Sequence, residues 1–305
     1  MILEAKFLGC LLGAAVGDAL GANFEGLPRI ETGWIEVEGL LRYTDDTEMT
    51  IGVAESLIAN RGFSGEHMAW TFIKNYDPSR GYGPGPPRVF RWIRSGVSWR
   101  EAARRLYGGM GSFGNGAAMR IAPVALLYYD DDEKLRETAT AVSEITHTHP
   151  LGIEGAVLQA YSIAQALKTE PNKLEPTEFV EKLQQFTESP VYLEKLKTMK
   201  RLLASEAPRI QVIRELGHSV EAFNSVPTAI YSFLKNHKNF AEAILYAISL
   251  GGDTDTIASM TGANAGAHKG VEAIPETWLK NLENRDYIQK LAQKLWEVKR
   301  EQTLK

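Results

Sequence analysis

Cysteine is almost absent from this sequence of 305 residues, which contains only Cys10. A single thiol cannot form an internal disulfide, so a small domain held together by disulfides is excluded. We interpret Cys10 as a reduced core side chain, because it lies within the apolar run of residues 7–16. This interpretation predicts a cytoplasmic protein, with the nucleus as the alternative.

Excess positive charge and long hydrophobic runs are also absent. The formal net charge is −4 and the isoelectric point is about 6.0, so we expect no direct binding of nucleic acid. The run of residues 7–16 is shorter than the roughly 20 apolar residues that span a bilayer. A signal sequence is the alternative, but Asp18 interrupts the apolar stretch and one basic residue precedes it. We therefore predict a buried helix over about residues 6–22 and no membrane association.

The alternating pattern of β-strands is missing as well, and neither an internal repeat nor a linker divides the chain. Helical periodicity instead predicts an all-α protein with one domain over residues 1–305. Predicted helices cover about residues 49–60, 65–76, 122–129, 135–146, 153–167, 220–236, 240–250 and 292–301, with another beginning near 257. We assign residues 170–210 to outer helices with solvated charged faces. Prolines and glycines predict that residues 77–87 form an irregular, non-helical loop beside a site.

Oxygen-bearing side chains are concentrated in residues 249–258, where Asp253, Thr254, Asp255 and Thr256 follow two glycines and precede a helix. Carboxylate and hydroxyl oxygens without cysteine or histidine suit Mg²⁺ or Mn²⁺ and argue against zinc. The alternative is a helix N-cap, because Asp and Thr are ordinary capping residues.

A second concentration of the same kind lies far upstream, where Thr44, Asp45, Asp46 and Thr47 precede an apolar-periodic helix. Two N-caps would explain the two helices separately. They would not explain adjacent carboxylates, which repel each other unless a cation neutralises them. We therefore hypothesise that both clusters face one binuclear site, with metal ions about 3.5–4 Å apart.

Four glycines, at positions 9, 13, 17 and 21, lie four residues apart on one face of the first predicted helix. Each costs about 1 kcal/mol of helix stability relative to alanine, so close approach of another backbone is the expected compensation. The small-residue helix around residues 262–267 is the predicted partner. Glu25 follows the first helix, and is either a solvated loop carboxylate or an acid of the site.

A glycine-rich segment covers residues 107–120, and we expect a helix after it. Exposed backbone N–H groups beside a helix N-terminus can bind phosphate, although no predicted strand precedes the segment as in dinucleotide-binding folds. Tyr107 and Phe113 could stack on a base or ribose, or could be core aromatics. Further on, His147 and His149 lack the neighbouring ligands of a zinc site, so we favour loop histidines or a substrate contact.

Taken together, these motifs resemble the ADP-ribosylglycohydrolase family of ADP-ribosyl-acceptor hydrolases. The resemblance spans nearly the whole chain in the family's order, and its matching pieces are residues 13–25, 43–47, 80–83, 111–116, 146–147 and 251–256. The glycine loop and His147 are most similar to the branch that acts on O-linked ADP-ribose, namely serine-linked, poly- and O-acetyl-ADP-ribose.

The resemblance implies a compact, single-domain orthogonal bundle of helices with a binuclear metal cleft that holds two Mg²⁺ ions, or Mn²⁺. Its implied ligands are Thr44, Asp45, Asp46 and Asp255 for one ion, Asp253, Asp255 and Thr256 for the other, and Glu25 as a movable ligand. The implied catalytic groups are Glu25, as acid or gate, and Asp45 or Asp46, which would orient water. The implied substrate contacts are Tyr107 on adenine, with Gly111, Ser112, Phe113, Gly114, Asn115, Gly116 and His147 on the diphosphate and proximal ribose.

Implied partners are ADP-ribosylated proteins or small molecules that contain ADP-ribose. The family also has tyrosine at the position of Phe113, so a hydroxyl contact could be missing here. Three other functions remain open: hydrolysis of arginine-linked ADP-ribose, a catalytically silent crystallin-like protein, and a two-metal phosphoesterase that would release phosphate or a mononucleotide.

Overall fold

The computed structural model describes residues 3–30, 33, 35–170 and 172–303, and helices dominate these residues. The helices are α1 (Leu3–Gly21), α2 (Asp45–Asn60), α3 (Gly65–Asn75), α4 (Gly85–Arg94), α5 (Trp99–Ala102), α6 (Ala122–Leu127), α7 (Asp132–Ser143), α8 (Pro150–Lys168), α9 (Pro176–Phe186), α10 (Pro190–Ala204), α11 (Arg209–Leu216), α12 (Ala222–Lys235), α13 (Phe240–Ser249), α14 (Thr254–Lys269), α15 (Glu276–Asn281) and α16 (Arg285–Thr303). In this part of the chain only two isolated β-bridges occur and no strand forms. The predicted all-α fold is confirmed.

Helices α1 and α14 form the central pair of the fold, and they cross with their backbones in contact. A Cβ atom added at Gly17 would lie 2.1 Å from the carbonyl oxygen of Ala258, and one at Gly13 would lie 2.5 Å from that of Gly262. No side chain fits at such distances, which explains the four-residue spacing of the glycines. The pair is antiparallel, since Gly9 meets Gly266 while the other end of α1 meets Thr254. The C-terminal end of α1 therefore lies beside the N-terminal end of α14.

Helix α1, with the turn that follows it, is also the segment of the described chain that is long and apolar enough to cross a membrane. Its most apolar window is 78% buried inside the protein. Phe7, Cys10 and Val16 are fully buried in the core. The sequence prediction of a buried helix and a buried thiol is thus confirmed.

The prediction that residues 77–87 cannot be helical was wrong. Pro78 begins a 3₁₀ helix, Pro78–Arg80, and Pro86 and Pro87 lie in the first turn of α4. Proline is tolerated there because its missing N–H would have no partner in the first turn of a helix. Helix α14 also begins three residues earlier than predicted, at Thr254, so its acidic cluster forms the first turn itself.

Helices α9, α10 and α11 cover the outside of the bundle. Each buries a few apolar residues, such as Phe179, Leu196 and Val212, and most charged residues of α9 and α10 are exposed to solvent. This confirms the interpretation of residues 170–210 as outer helices. None of the described residues in this range lines the cavity over the acidic clusters.

Candidate active site

The upstream acidic cluster is built on the first turn of α2 and is anchored by Asp18 of α1. Thr44 is the N-cap, and its Oγ1 accepts a hydrogen bond from the N–H of Asp46 at 3.3 Å. The same hydroxyl donates to Asp18 Oδ1 at 2.8 Å, and Thr47 Oγ1 donates to Asp18 Oδ2 at 2.5 Å. The N–H groups of both threonines also donate to this carboxylate. Asp18 is fully buried, and its anchoring role could not be predicted from its position in an apolar helix.

The downstream cluster begins α14 and is tied to the segment that carries Glu25. The N–H of Gly26 donates to the carbonyl of Gly252 at 2.8 Å, and the N–H of Gly252 donates to the carbonyl of Leu27 at 2.9 Å. Gly252 has a φ of +75°, and a Cβ there would clash with His218. This paired contact holds Glu25 beside the first turn of α14.

The structure brings the two acidic clusters together across more than 200 positions of sequence. Thr256 Oγ1 donates to Asp46 Oδ1 at 3.3 Å, which joins the first turns of α14 and α2. Glu25, Asp253 and Asp255 each offer a carboxylate oxygen, and these three atoms lie within 4.8 Å of one another. Asp45 and Asp46 face the same cavity as these three carboxylates, and Asp18 lies behind them, bound to Thr44 and Thr47.

The electrostatics of these carboxyl groups favour a bound cation. Burial, reinforced by Asp18, raises the pKa of Asp45 to about 8, and burial together with Asp253 raises the pKa of Asp255 to about 10. Burial followed by Asp18 and Asp255 raises the pKa of Asp46 well above its usual range. Asp46 Oδ2 and Asp255 Oδ1 are buried without a hydrogen-bond partner. Unpaired buried carboxylate oxygens are costly, and a hard cation with oxygen ligands would satisfy both.

A cavity opens over the acidic clusters, and most of the predicted site residues line it. Its wall consists of Glu25, Asp45, Asp46, Gly81, Gly83, Pro84, Gly85, Pro86, Tyr107, Ser112, Gly114, Asn115, Gly116, Met119, Thr146, His147, Val220, Asp253, Asp255 and Thr256. Thr44, Gly111 and Phe113 were also predicted but lie outside this wall. Val220 and Met119 were missed, because a lone apolar residue carries no signal of a site.

The glycine-rich loop is held against the acidic site by Asn115. Its Nδ2 donates to Asp253 Oδ2 in a short hydrogen bond and to Ser225 Oγ at 3.0 Å. Its backbone N–H donates to the carbonyl of Val220 at 2.9 Å, so the loop pairs with the segment before α12. The helix expected after the loop is α6, which begins at Ala122, and the loop itself contains the 3₁₀ turn Asn115–Ala117. This turn is too short for the helix-dipole contribution to phosphate binding that the sequence suggested.

His147 lies under the glycine loop as a buried, neutral imidazole. Its Nδ1 is 2.8 Å from Thr146 Oγ1, and a Cβ added at Gly116 would lie 3.1 Å from its Nε2. Burial, with the positive charge of Arg120 as the smaller cause, lowers the pKa of His147 to about 3. His149 has a different role: its Nδ1 accepts from the N–H of Leu151 and caps α8.

The two aromatic residues of the loop are placed differently. Tyr107 has a left-handed backbone, with φ of +52°, is 45% exposed and lines the cavity. Phe113 is 44% exposed and contacts the rings of His149 and Phe223, with centroids 5.4 and 6.1 Å apart. Only Tyr107 therefore presents an aromatic surface directly to the cavity.

The sequence and the fold are similar to those of known proteins. The pattern of the ADP-ribosylglycohydrolase family matches residues 1–305. The chain is 38% identical to ADP-ribosylhydrolase ARH3 of Gallus gallus and 34% identical to that of Homo sapiens, in each case over 96% of this chain and 93% of the relative. A solved structure of an ADP-ribosylglycohydrolase-related protein complex matches with a TM-score of 0.77 and 28% identity, over 97% of this chain and 99% of its own. The chain therefore belongs to the ADP-ribosylglycohydrolase family.

Proposed function

We propose that the protein hydrolyses the bond between ADP-ribose and an O-linked acceptor, such as serine, another ADP-ribose unit or an acetyl group, with the help of two Mg²⁺ ions. Membership of the family makes the chain a hydrolase of ADP-ribose linkages. The observation that carries the metal-dependent part is the convergence of five acidic groups on one cavity, with two unpartnered buried oxygens among them. ADP-ribosylated proteins and small molecules that contain ADP-ribose are the proposed partners.

The proposed metal ligands are Thr44, Asp45, Asp46 and Asp255 for one ion, Asp253, Asp255 and Thr256 for the other, and Glu25 as an exchangeable ligand. These residues offer only carboxylate and hydroxyl oxygens, a donor set that suits Mg²⁺ and also admits Mn²⁺. When bound, the ions would supply positive charge that fixes the hydroxyls of the distal ribose and stabilises charge at the reacting carbon.

The protein's own groups account for the remaining chemistry. Burial and the charge of Asp253 raise the pKa of Glu25, and this carboxyl is the proposed acid that gives a proton to the leaving oxygen. Asp45 or Asp46 would orient the attacking water, the second role that glycoside hydrolysis requires. Glu25 lies at the exposed rim of the cluster, where a leaving acceptor can depart.

The diphosphate of ADP-ribose would be held by neutral donors of the glycine loop. Nδ1 of His147 is engaged by Thr146, which leaves Nε2 free for a phosphate oxygen. The low pKa keeps this imidazole neutral, so it acts as a hydrogen-bond donor and not as a charge. Tyr107 offers the cavity an aromatic face for adenine.

The preference for O-linked ADP-ribose is supported by the glycine loop and His147, which resemble those of the O-linked branch of the family, and arginine-linked ADP-ribose is the alternative substrate. We also propose a cytoplasmic location, with the nucleus as the alternative, because the single cysteine is buried and unpaired.

The test is release of ADP-ribose, followed by mass, from a serine-ADP-ribosylated peptide, an arginine-ADP-ribosylated protein and poly-ADP-ribose. Release should require Mg²⁺ and should be lost in Asp46→Ala and Glu25→Ala. Glu297→Ala removes an exposed carboxylate on α16 and serves as the matched control. Preferential turnover of the arginine-linked substrate would overturn the O-linked assignment. Release of phosphate or a mononucleotide would indicate a phosphoesterase, and binding without release would indicate a catalytically silent protein.

A further inference from the structure

One wall of the cavity belongs to a segment with an unusual concentration of positive charge. Residues 80–105 contain seven arginines, one glutamate and no lysine, a formal balance of +6 in a chain whose total is −4. Arg80 is largely buried and forms an ion pair with Glu283 at 2.8 Å. The other six arginines are exposed, and we call them the arginine surface: Arg88, Arg91, Arg94, Arg100, Arg104 and Arg105.

The arginine surface adjoins the mouth of the cavity. The chain leaves the cavity wall at Pro86 and returns to it at Tyr107, and all six arginines lie between these points. The first turn of α4 packs beside the segment that returns to the cavity. A Cβ added at Gly85 would lie 3.5 Å from Leu106 Cδ1 and 3.9 Å from Tyr107 Oη. Arg88, one turn into α4, and Arg105, two residues before Tyr107, are therefore close to the opening.

Structural needs account for only some of these charges. Arg91 and Arg94 lie in the last turn of α4, where positive charge stabilises the helix. Arg104 lies 3.8 Å from Glu144, which is a weak surface ion pair. Within the described residues, Arg88 and Arg105 have no carboxylate partner. Arg88 also lies in the half of the helix where positive charge is unfavourable.

The cavity itself offers no such charge, since its wall contains acidic and neutral side chains but no lysine or arginine. Under the proposed function the cavity holds one ADP-ribose unit, and every further unit of an oligomer carries two more phosphate charges outside it. Arginine matches this ligand better than lysine would, because its planar fork binds phosphate oxygens in pairs and stacks on bases. An acidic peptide would not require arginine in particular.

We propose that the arginine surface binds the diphosphate groups of ADP-ribose units that extend beyond the cavity when the substrate is an ADP-ribose oligomer. The inference rests on the proposed function, because it assigns a second part of the same substrate. The oligomer should therefore bind more tightly than monomeric ADP-ribose, and added salt should weaken the extra contacts.

The test compares Arg88→Glu/Arg105→Glu with a control of equal charge change, Lys290→Glu/Lys294→Glu, on the exposed face of α16. Fluorescence anisotropy with EDTA present measures binding of a labelled ADP-ribose oligomer, ADP-ribose alone, single-stranded DNA of the same length and charge, and an acidic peptide. Wild type and control should bind the oligomer most tightly. The arginine variant should lose on the order of tenfold or more of this affinity and show a flatter dependence on salt.

With Mg²⁺, kcat for a serine-mono-ADP-ribosylated peptide should be the same in all three proteins. The proposal is overturned if the arginine variant binds the oligomer as wild type does, or if it loses affinity for ADP-ribose by the same factor. It is also overturned if wild type binds the DNA or the acidic peptide as tightly as the oligomer. Because binding is measured without turnover, a wild type that binds the oligomer but hydrolyses nothing would count against the proposed function alone.

Discussion

Thr44 Oγ1 donates its hydrogen to Asp18 Oδ1 at 2.8 Å, and this bond determines the direction in which the hydroxyl presents its lone pairs. One lone pair accepts from the N–H of Asp46, and the other is left for the site. Thr44 is a proposed metal ligand, and Asp18 acts through it. Carboxylates that orient ligands in this way commonly affect metal affinity as much as a ligand does.

We predict that Asp18→Asn weakens Mg²⁺ binding by about 10- to 100-fold. The side-chain N–H₂ group of the asparagine would face a hydroxyl or N–H that now donates to Asp18. Two donors cannot bond to each other, so the hydroxyl of Thr44 would rotate away from its present direction. Isothermal titration calorimetry with Mg²⁺ measures the effect. Thr47→Val removes one donor to Asp18 without touching a proposed ligand, and it should cost much less. Equal losses in both variants would mean that Asp18 serves only the packing of α2.

We predict that Gly17→Ala lowers the free energy of unfolding by about 3 kcal/mol, because the new methyl group would overlap the backbone of α14. Neither helix can move away without separating the acidic clusters, so Mg²⁺ affinity should fall as well. Urea denaturation gives the stability. Gly33→Ala is the matched control, since a Cβ at Gly33 meets nothing within 4 Å and should be nearly neutral. A stable Gly17→Ala protein would contradict the close contact of α1 and α14.

We predict that the neutral state of His147 makes the protein less stable in acid. Its pKa is about 3 in the folded protein and about 6.5 when unfolded, so the unfolded chain binds more protons between these values. Stability contributed by this group is therefore lost as the pH falls below 6.5, by about 1.4 kcal/mol per unit. Urea denaturation of wild type and His147→Gln between pH 7 and 5 should show this slope as the difference in stability between the two proteins. If the variant and the wild type had the same slope, His147 would be protonated in the folded protein as readily as in the unfolded chain, which would contradict its lowered pKa.

We predict the opposite pH dependence for the acidic cluster in the absence of metal. Asp45 and Asp255 have folded pKa values of about 8 and 10, above their unfolded values, so their contribution is present at low pH and lost as the pH rises through the folded values. In EDTA the melting temperature should fall between pH 6 and 9, and Mg²⁺ should raise it most at the upper end. Asp255→Asn should reduce both effects. A melting temperature that rises with pH in EDTA would show that the ionised carboxylates do not destabilise the metal-free protein.

Local features of the sequence determined much of this protein. Helical periodicity predicted the all-α fold, the spacing of Gly9, Gly13, Gly17 and Gly21 predicted the contact of α1 with α14, and the residue types of two short segments predicted a site for a hard cation. These features could be predicted because each depends on neighbouring residues and on chemical properties that do not change with the fold.

Only the tertiary structure decided how these segments meet. A buried aspartate within an apolar helix gives no sign of its partners, so the anchoring of Thr44 and Thr47 by Asp18 could not be predicted. The bond from Asn115 to Asp253 and the neutral state of His147 were hidden for the same reason. Each of them depends on contacts between residues far apart in sequence and on the exclusion of water, and both arise only when the helices pack.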